Sequence, residues 1–423
     1  LREELRLESV QAISWVNHAF LLHDPPEKFI EDMHPAIVVK GKEHEEQYNP
    51  EAEAVARYGG KLLFSSGDLT FSSVDLMRQE WSEFNPSTIR TPKEYLARHG
   101  ITADAAVEML EKMDRLRVSV VGDIIVDEYI TCDPIGMSQE DPTIVVVPVH
   151  HERFAGGAGI VAAHASGLGA QVRFFSIFGA DEAADYVGEK IASYNVKTYI
   201  HEDNSRPTTL KQRFRAGNKT LLRVNHLRQH EINSDLRDIL LHDIIAALDD
   251  TDLLIFADFS YGALPQPLVD RVVSECSQRG IMMAADSQSS SQMGDVGRFN
   301  GMALVTPTER EARLAVQDFD AGLVVLAEKL KQRANAGNIV ITLGAEGVLI
   351  HPDSGDWPTD RLPALNMAPK DVAGAGDSFL ITASMALVSG SDIWMASYLG
   401  SLAAACQVGR VVNISLTREE LLR

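Results

Sequence analysis

From Arg117 onward one pattern repeats: a short apolar run, then a helical stretch with a polar face. The runs at 117–121, 172–178, 253–257, 281–285, 303–306 and 339–343 show no polar alternation, which predicts strands buried on both faces. Helical patterns lie between them, at 183–193, 235–247, 265–279, 309–316 and 321–335. Strands buried on both faces need helices on both sides. The expected fold is α/β: a doubly wound, mostly parallel sheet covered by helices. Such sheets bind ligands beyond the carboxyl ends of their strands. Asp127, Asp258, Asp286, Thr306 and Gly344 fall at or just past such ends, Asp127 in a loop after the run at 118–121.

Two regions depart from this alternation. Short extended stretches at 143–149, 210–215 and 220–224, the last two flanking a turn at Ala216-Gly217-Asn218, predict a small β-sheet over one face of the large domain. Residues 1–80 form a separate, smaller α/β unit: a helical pattern at 8–20, a strand at 36–39, a helix at 51–58 stopped by Gly59-Gly60, and a strand at 61–64. Between the units, 81–115 reads as a polar linker with helices, broken at Pro86 and Pro92, and the large domain occupies 116–423.

A net charge of −21 argues against non-specific binding to nucleic acid or anionic membranes. No apolar run approaches the roughly 20 residues of a membrane span. Cys132, Cys276 and Cys406 are odd in number and widely spaced, as expected of reduced thiols in the cytoplasm. The 13 histidines form no HExxH-type metal spacing, and His150-His151 is expected at the surface. The chain begins at Leu1 rather than Met, which points to further residues upstream.

Four stretches carry candidate chemistry. Gly374-Ala375-Gly376 runs into Asp377 and an apolar helical pattern. Amides converging at a helix N-terminus suit an anion, and a carboxylate beside them suits proton abstraction from a hydroxyl. An ordinary glycine turn with an Asp N-cap reads equally well. Lys211, Arg213 and Arg215 share one strand face, with Arg223 on the partner strand, as an anion clamp or as edge-strand protection. Gly156-Gly157-Ala158-Gly159 permits close backbone approach to a ligand or tight helix packing, and Asp127 can accept two hydroxyl hydrogen bonds or lie in solvent. Thr342-Leu343-Gly344 with Gly347 is a turn under a nucleotide or a plain hairpin. Glu311, three residues after Thr308, is a capping acid or orients a magnesium-bound water.

Taken together, 117–423 resembles the ribokinase-like (PfkB) carbohydrate kinases, most specifically in Asp371-Val372-Ala373-Gly374-Ala375-Gly376-Asp377. The resemblance implies that Asp377 is the catalytic base and that Gly374, Ala375 and Gly376 form the anion hole. It also implies sugar contacts at Asp127, Gly156 and Gly157, and a nucleotide turn at Thr342, Gly344 and Gly347. The small sheet becomes a lid carrying Lys211, Arg213 and Arg223. ATP, Mg2+ and a homodimer formed through the lid are implied in the same way.

Within the family, Gly122-Asp123-Ile124-Ile125-Val126-Asp127-Glu128-Tyr129, 206–213, 221–224 and Thr306-Pro307-Thr308-Glu309-Arg310-Glu311 resemble the kinase half of the bifunctional ADP-heptose synthesis proteins. That likeness implies a heptose 7-phosphate or a related sugar phosphate as acceptor. Residues 35–41, 58–60 and 70–73 resemble the second half of a cytidylyltransferase-like domain, without the HxGH motif of its first half. Departures fall on the acceptor side: Ile160 and Thr308 replace family asparagines, Tyr261 stands where heptose kinases carry Lys, and Gly136 about where they carry Arg. Two other readings follow from these departures, a neutral-sugar or nucleoside kinase and a nucleotide-binding regulatory protein without turnover.

Overall fold

In the computed structural model the six apolar runs all lie in one sheet. The structure describes residues 18–23, 25–41, 49–65, 88–217, 219–288, 294–353 and 359–422, with positions 3, 7, 11 and 16. The chain divides into two units, Leu1–Gln79 and Glu80–Arg423. The helical pattern at 8–20 and the stretch at 70–73 fall largely outside the described residues.

In the first unit, α1 (Pro26–Met33), β1 (Ile37–Gly41), α2 (Pro50–Arg57) and β2 (Lys61–Ser65) follow in order, and β1 and β2 pair in parallel. Proline at the first turn of both helices fits a position whose N–H has no partner in the helix. Ile30, Ala54 and Val55 make a small core, and Lys40 pairs with Glu51 at 2.8 Å.

The second unit opens with α3 (Lys93–Arg98) and α4 (Ala103–Lys112). There follow β3 (Arg117–Gly122), β4 (Ile124–Met137), β5 (Ile144–Gly157), α5 (Ala158–Gly167), β6 (Gln171–Phe178), α6 (Glu182–Ala192), β7 (Lys197–Glu202), β8 (Thr209–Ala216) and β9 (Lys219–His226). Next come α7 (Ser234–Leu248), β10 (Leu253–Asp258), α8 (Gln266–Arg279), β11 (Met282–Ser287), β12 (Leu304–Val305), α9 (Glu309–Val316), α10 (Leu323–Ala334), β13 (Asn338–Thr342), β14 (Val348–His351) and β15 (Asp360–Leu362). The chain ends in α11 (Ala375–Val388), α12 (Ile393–Val408) and α13 (Arg418–Leu422).

The nine-stranded sheet runs β15-β14-β13-β12-β11-β10-β3-β6-β7, parallel from β13 to β7 with β14 and β15 antiparallel at one edge. Its two faces bury separate cores. One is built with α3, α4, α5, α11 and α12, the other with α7, α8, α9 and α10. Helices on both faces explain why β10 is buried at every position. The second sheet runs β5-β4-β8-β9, with Arg213 paired directly opposite Arg223 across β8 and β9.

Two sequence expectations change here. Asp127 lies inside β4 and not in a loop, because Ile124, Ile125 and Val126 continue the extended backbone along β5, and Ile125 and Val126 pair with β8 as well. Residues 93–112, read as linker helices, pack onto the large core. Tyr95 donates its hydroxyl hydrogen bond to the Trp394 carbonyl at 2.9 Å, and Leu110 and Met113 are buried. The Thr102 side chain caps α4 by accepting from the Ala105 amide. Met113→Ala is therefore expected to cost about 2–5 kcal/mol in urea unfolding, as for a core residue. A solvated linker side chain would change stability by less than about 0.5 kcal/mol.

Candidate active site

At the carboxyl ends of the parallel strands, a cavity of about 1030 Å³ is lined by residues from both sheets of the second unit and from α11. Its wall includes Asp377, Gly374, Ala375, Gly376, Asp127, Gly157, Lys211, Arg213, Arg223, Thr308, Glu311, Thr342, Gly344 and Gly347. Of the residues singled out from the sequence, Gly156, Gly159, Arg215 and Asp258 are not on this wall.

Gly374 is the residue before α11, with φ 77°, left-handed backbone that glycine adopts without strain. A Cβ there would also overlap the Asn413 side chain. This answers the Asp N-cap reading: glycine takes that position and Asp377 falls in the first helical turn, 6% exposed. The residues of that turn and the Asp377 carboxylate thus line one cavity, at the positive end of the helix.

Gly156 has a different task. A Cβ there would overlap Oδ2 of Asp127, so the missing side chain makes room for that carboxylate. Asp127 Oδ1 is buried without a hydrogen-bond partner and lies 3.6 Å from the Arg213 guanidinium. Arg213 donates to the Tyr129 hydroxyl at 3.1 Å, and Tyr129 donates to Asp371 at 3.0 Å. The Arg213 and Arg215 guanidinium carbons lie 5.2 and 5.3 Å from the centre of the Tyr129 ring, within cation–π range. A second cavity of about 250 Å³, sharing Arg213 and Arg223 with the first, is lined also by Arg215 and Lys370. Arg215 Nε and one terminal nitrogen are buried there without hydrogen-bond partners. In a chain of net charge −21, this is concentrated positive charge.

Also on the cavity wall, Thr308 and Glu311 form a capping box on α9. The Thr308 hydroxyl accepts from the Glu311 amide at 3.2 Å, and Glu311 Oε2 accepts from the Thr308 amide at 2.8 Å. The capping reading of Glu311 therefore holds, and its side chain still reaches the cavity. The turn from Thr342 to Gly347 is likewise a true hairpin, joining antiparallel β13 and β14, and it also lines the cavity.

Comparison with known proteins agrees with this geometry. Residues 116–418 match the family model for pfkB family carbohydrate kinases. The chain belongs to that family. It is 31% identical over 314 residues to the bifunctional protein HldE of Helicobacter hepaticus, covering 73% of this chain and 63% of that protein. The HldE of Pseudomonas paraeruginosa is 30% identical over 316 residues. The chain thus spans under two thirds of the length of these curated relatives. Among solved structures, ribokinase from Thermotoga maritima superposes with a TM-score of 0.56 at 21% identity, covering 72% of this chain and 98% of that one. Phosphofructokinase-2 from Escherichia coli superposes with a TM-score of 0.57 at 14% identity, covering 73% of this chain and 97% of that one. These last two likenesses establish the ribokinase-like fold.

The electrostatics of this carbohydrate kinase centre on four carboxylates lining one cavity: Asp127, Asp286, Glu311 and Asp377. Burial pushes the Asp377 carboxyl up to about 7, Asp127 and Glu311 push it the same way, and Lys211 opposes them. Burial also raises Asp127, against the pull of Arg213 and Lys211. Asp286 is raised well above the usual carboxylate range by burial and by Glu311 and Asp377, and its Oδ1 has no hydrogen-bond partner. The sequence placed Asp286 at a strand end but not in the site. A lone Asp carries no spacing motif, and only the fold brings it to Glu311 and Asp377. Two departures are also resolved. Ile160 is fully buried in α5, and Tyr261 lies beneath the Lys211 ammonium, 5.2 Å from its ring centre.

Among the described residues no three His, Cys, Asp or Glu side chains form a metal cage, and no helix is long and apolar enough to cross a membrane. The three cysteines are free and buried.

The raised Asp377 group has a consequence for stability. Between about 4 and about 7 the unfolded chain releases this proton while the folded chain keeps it, so stability from this site is present at low pH and lost as pH rises through about 7. Asp377→Asn is therefore expected to raise Tm in thermal melts at pH 8 and to change it much less at pH 5. An equal shift at both pH values would mean that Asp377 does not titrate in the neutral range.

Proposed function

We propose that this kinase moves the γ-phosphoryl group of ATP to a hydroxyl of a sugar phosphate, most simply a heptose 7-phosphate. The observation that carries the reading is that the buried Asp377 carboxylate at the start of α11 and the arginine-rich lid line one cavity. Asp377 takes the proton as the acceptor oxygen bonds to the γ-phosphorus and the bridging oxygen leaves with ADP. Amides at Gly374, Ala375 and Gly376 face the charge on the transferring group.

The nucleotide lies against Thr342, Gly344, Gly347 and Thr308, and Asp127 and Gly157 hold the sugar. Asp286 and Glu311 would hold Mg2+ partly through its waters, and its charge would neutralise the phosphate oxygens. The orphaned buried oxygen of Asp286 fits that need. Arg213, Arg223 and Lys211 give the acceptor its own anion site, which a neutral sugar would leave unpaired.

The test is ATP consumption over a panel of neutral and phosphorylated sugars, with product mass. Asp377→Asn is expected to lower kcat by at least ~10². Lys211→Met with Arg213→Met is expected to raise KM for a heptose 7-phosphate at least ~10-fold, as for removal of charge-assisted hydrogen bonds, and to leave KM for ATP unchanged. Full activity in Asp377→Asn, or equal effects on phosphorylated and neutral sugars, would overturn the respective roles.

We further read residues 1–80 as a cytidylyltransferase-like unit, 81–115 as the segment joining it to a kinase domain at 116–423, and the protein as cytoplasmic. The parallel β1–β2 pair supports the first reading. A homodimer through the lid is supported by Ile135, Met137, Ile144, Val147 and Val149, all exposed on β4 and β5. Ile135→Glu with Val147→Glu is expected to shift sedimentation to the monomer. A wild-type monomer would remove the dimer reading.

A further inference from the structure

The aromatic surface under Lys211 is built by a short loop after β10, and two buried charges outside the cavity hold that loop. Asp123, 4% exposed at the β3–β4 junction, accepts from three loop amides: Phe259 at 2.9 Å and Tyr261 at 3.3 Å on Oδ2, and Ala263 at 3.1 Å on Oδ1. Arg206, 8% exposed on the segment leading into β8, holds the carbonyl side. It donates to the Tyr261 carbonyl and to the His230 carbonyl, each at 2.7 Å, while Asp203 fixes its Nε at 2.6 Å. Between these contacts Ser260 sits at φ 59°, a left-handed backbone that a non-glycine residue keeps only when its surroundings impose it.

The product of this clamp is a pair of rings. Phe259 and Tyr261 are both buried, and Lys211 Nζ stands 5.5 and 5.2 Å from their centres. An ammonium over two ring faces is held by the rings, and its charge stays available to a ligand. Lys211 also bears on both Asp127 and Asp377, pulling each carboxyl toward ionisation. Where the loop puts the rings therefore decides where this charge stands relative to acceptor and base.

We propose that Asp123 and Arg206 are positioning residues for acceptor recognition: together they fix the 259–263 loop so that Phe259 and Tyr261 seat the Lys211 ammonium against the acceptor's anionic group. The Lys211 part rests on the function proposed above. The clamp itself is independent of it. Burying the Asp123 carboxylate is costly, and its three amide bonds offset that cost while spending none of its acceptors on the cavity. The carboxylate thus shapes the site from outside it.

A double-mutant cycle tests the proposal, with a heptose 7-phosphate as acceptor and KM measured for both substrates. Asp123→Asn turns an amide group toward loop N–H donors and is expected to raise the acceptor KM about fivefold or more, with KM for ATP unchanged. In a Lys211→Met background the same change is expected to alter the acceptor KM by less than about twofold, because no ammonium remains to position. Phe259→Leu with Tyr261→Leu removes the seat, leaves Asp123 in place, and is expected to reproduce both results should Asp123→Asn fail to fold. Arg206→Met is expected to follow Asp123→Asn. Additive effects in the Lys211→Met background, or equal losses for ATP and acceptor, would overturn the positioning role while leaving the lid reading intact. An unchanged acceptor KM in Lys211→Met alone would overturn the lid reading and this inference with it.

Discussion

Placing carboxylates where water is scarce is the constraint on which the rest of this structure depends. Asp127, Asp286, Glu311 and Asp377 line one cavity, and the three aspartates are pushed toward their neutral forms by burial. Each needs a donor, a cation or a proton to be tolerated there. The surrounding fold supplies these unequally. Glu311 is satisfied by the cap of its own helix. Asp127 has Arg213 beside it, Asp377 has Lys211 and the start of α11, and Asp286 keeps an oxygen without a partner. The group left least satisfied marks where a ligand's charge belongs.

The lid answers that acidity with cations on one strand face, but its strength lies in geometry. Arg213 and Arg223 stand opposite each other across an antiparallel pair, which repulsion alone would disfavour. Tyr129 relieves this by accepting a hydrogen bond from Arg213, offering its ring to Arg213 and Arg215, and donating its own hydrogen bond to Asp371. Asp371 begins the very segment that turns into α11, so the lid and the glycine turn before α11 share a hydrogen-bonded link. Phe259 and Tyr261 play the same part for Lys211. Aromatic faces hold these charges in place without neutralising them.

Much of this was legible in the chain. Runs without polar alternation became strands of one sheet, since burial on both faces writes itself directly into composition. The glycines before Asp377 announced a loop entering a helix, and period-2 spacing put Lys211, Arg213 and Arg215 on one face. The errors have physical causes. Asp127 was read in a loop because a charged residue interrupts an apolar run, yet β5 and β8 pair with it on both sides. Residues 93–112 looked like linker because the stretch around them is polar and broken at Pro86 and Pro92, and only the packed position of Tyr95 and Met113 reveals its partner.

Local sequence determined the elements, the turn before α11 and the cationic face of the lid, because these follow from neighbours within a few residues. Tertiary structure alone decided that Asp127, Asp286, Glu311 and Asp377 meet, though they are spread over some 250 residues of chain. It also decided the chemistry of the meeting. A carboxyl group shifts to about 7 only when its water is gone and other charges stand close, and neither condition exists before the sheet, α11 and the lid assemble around it.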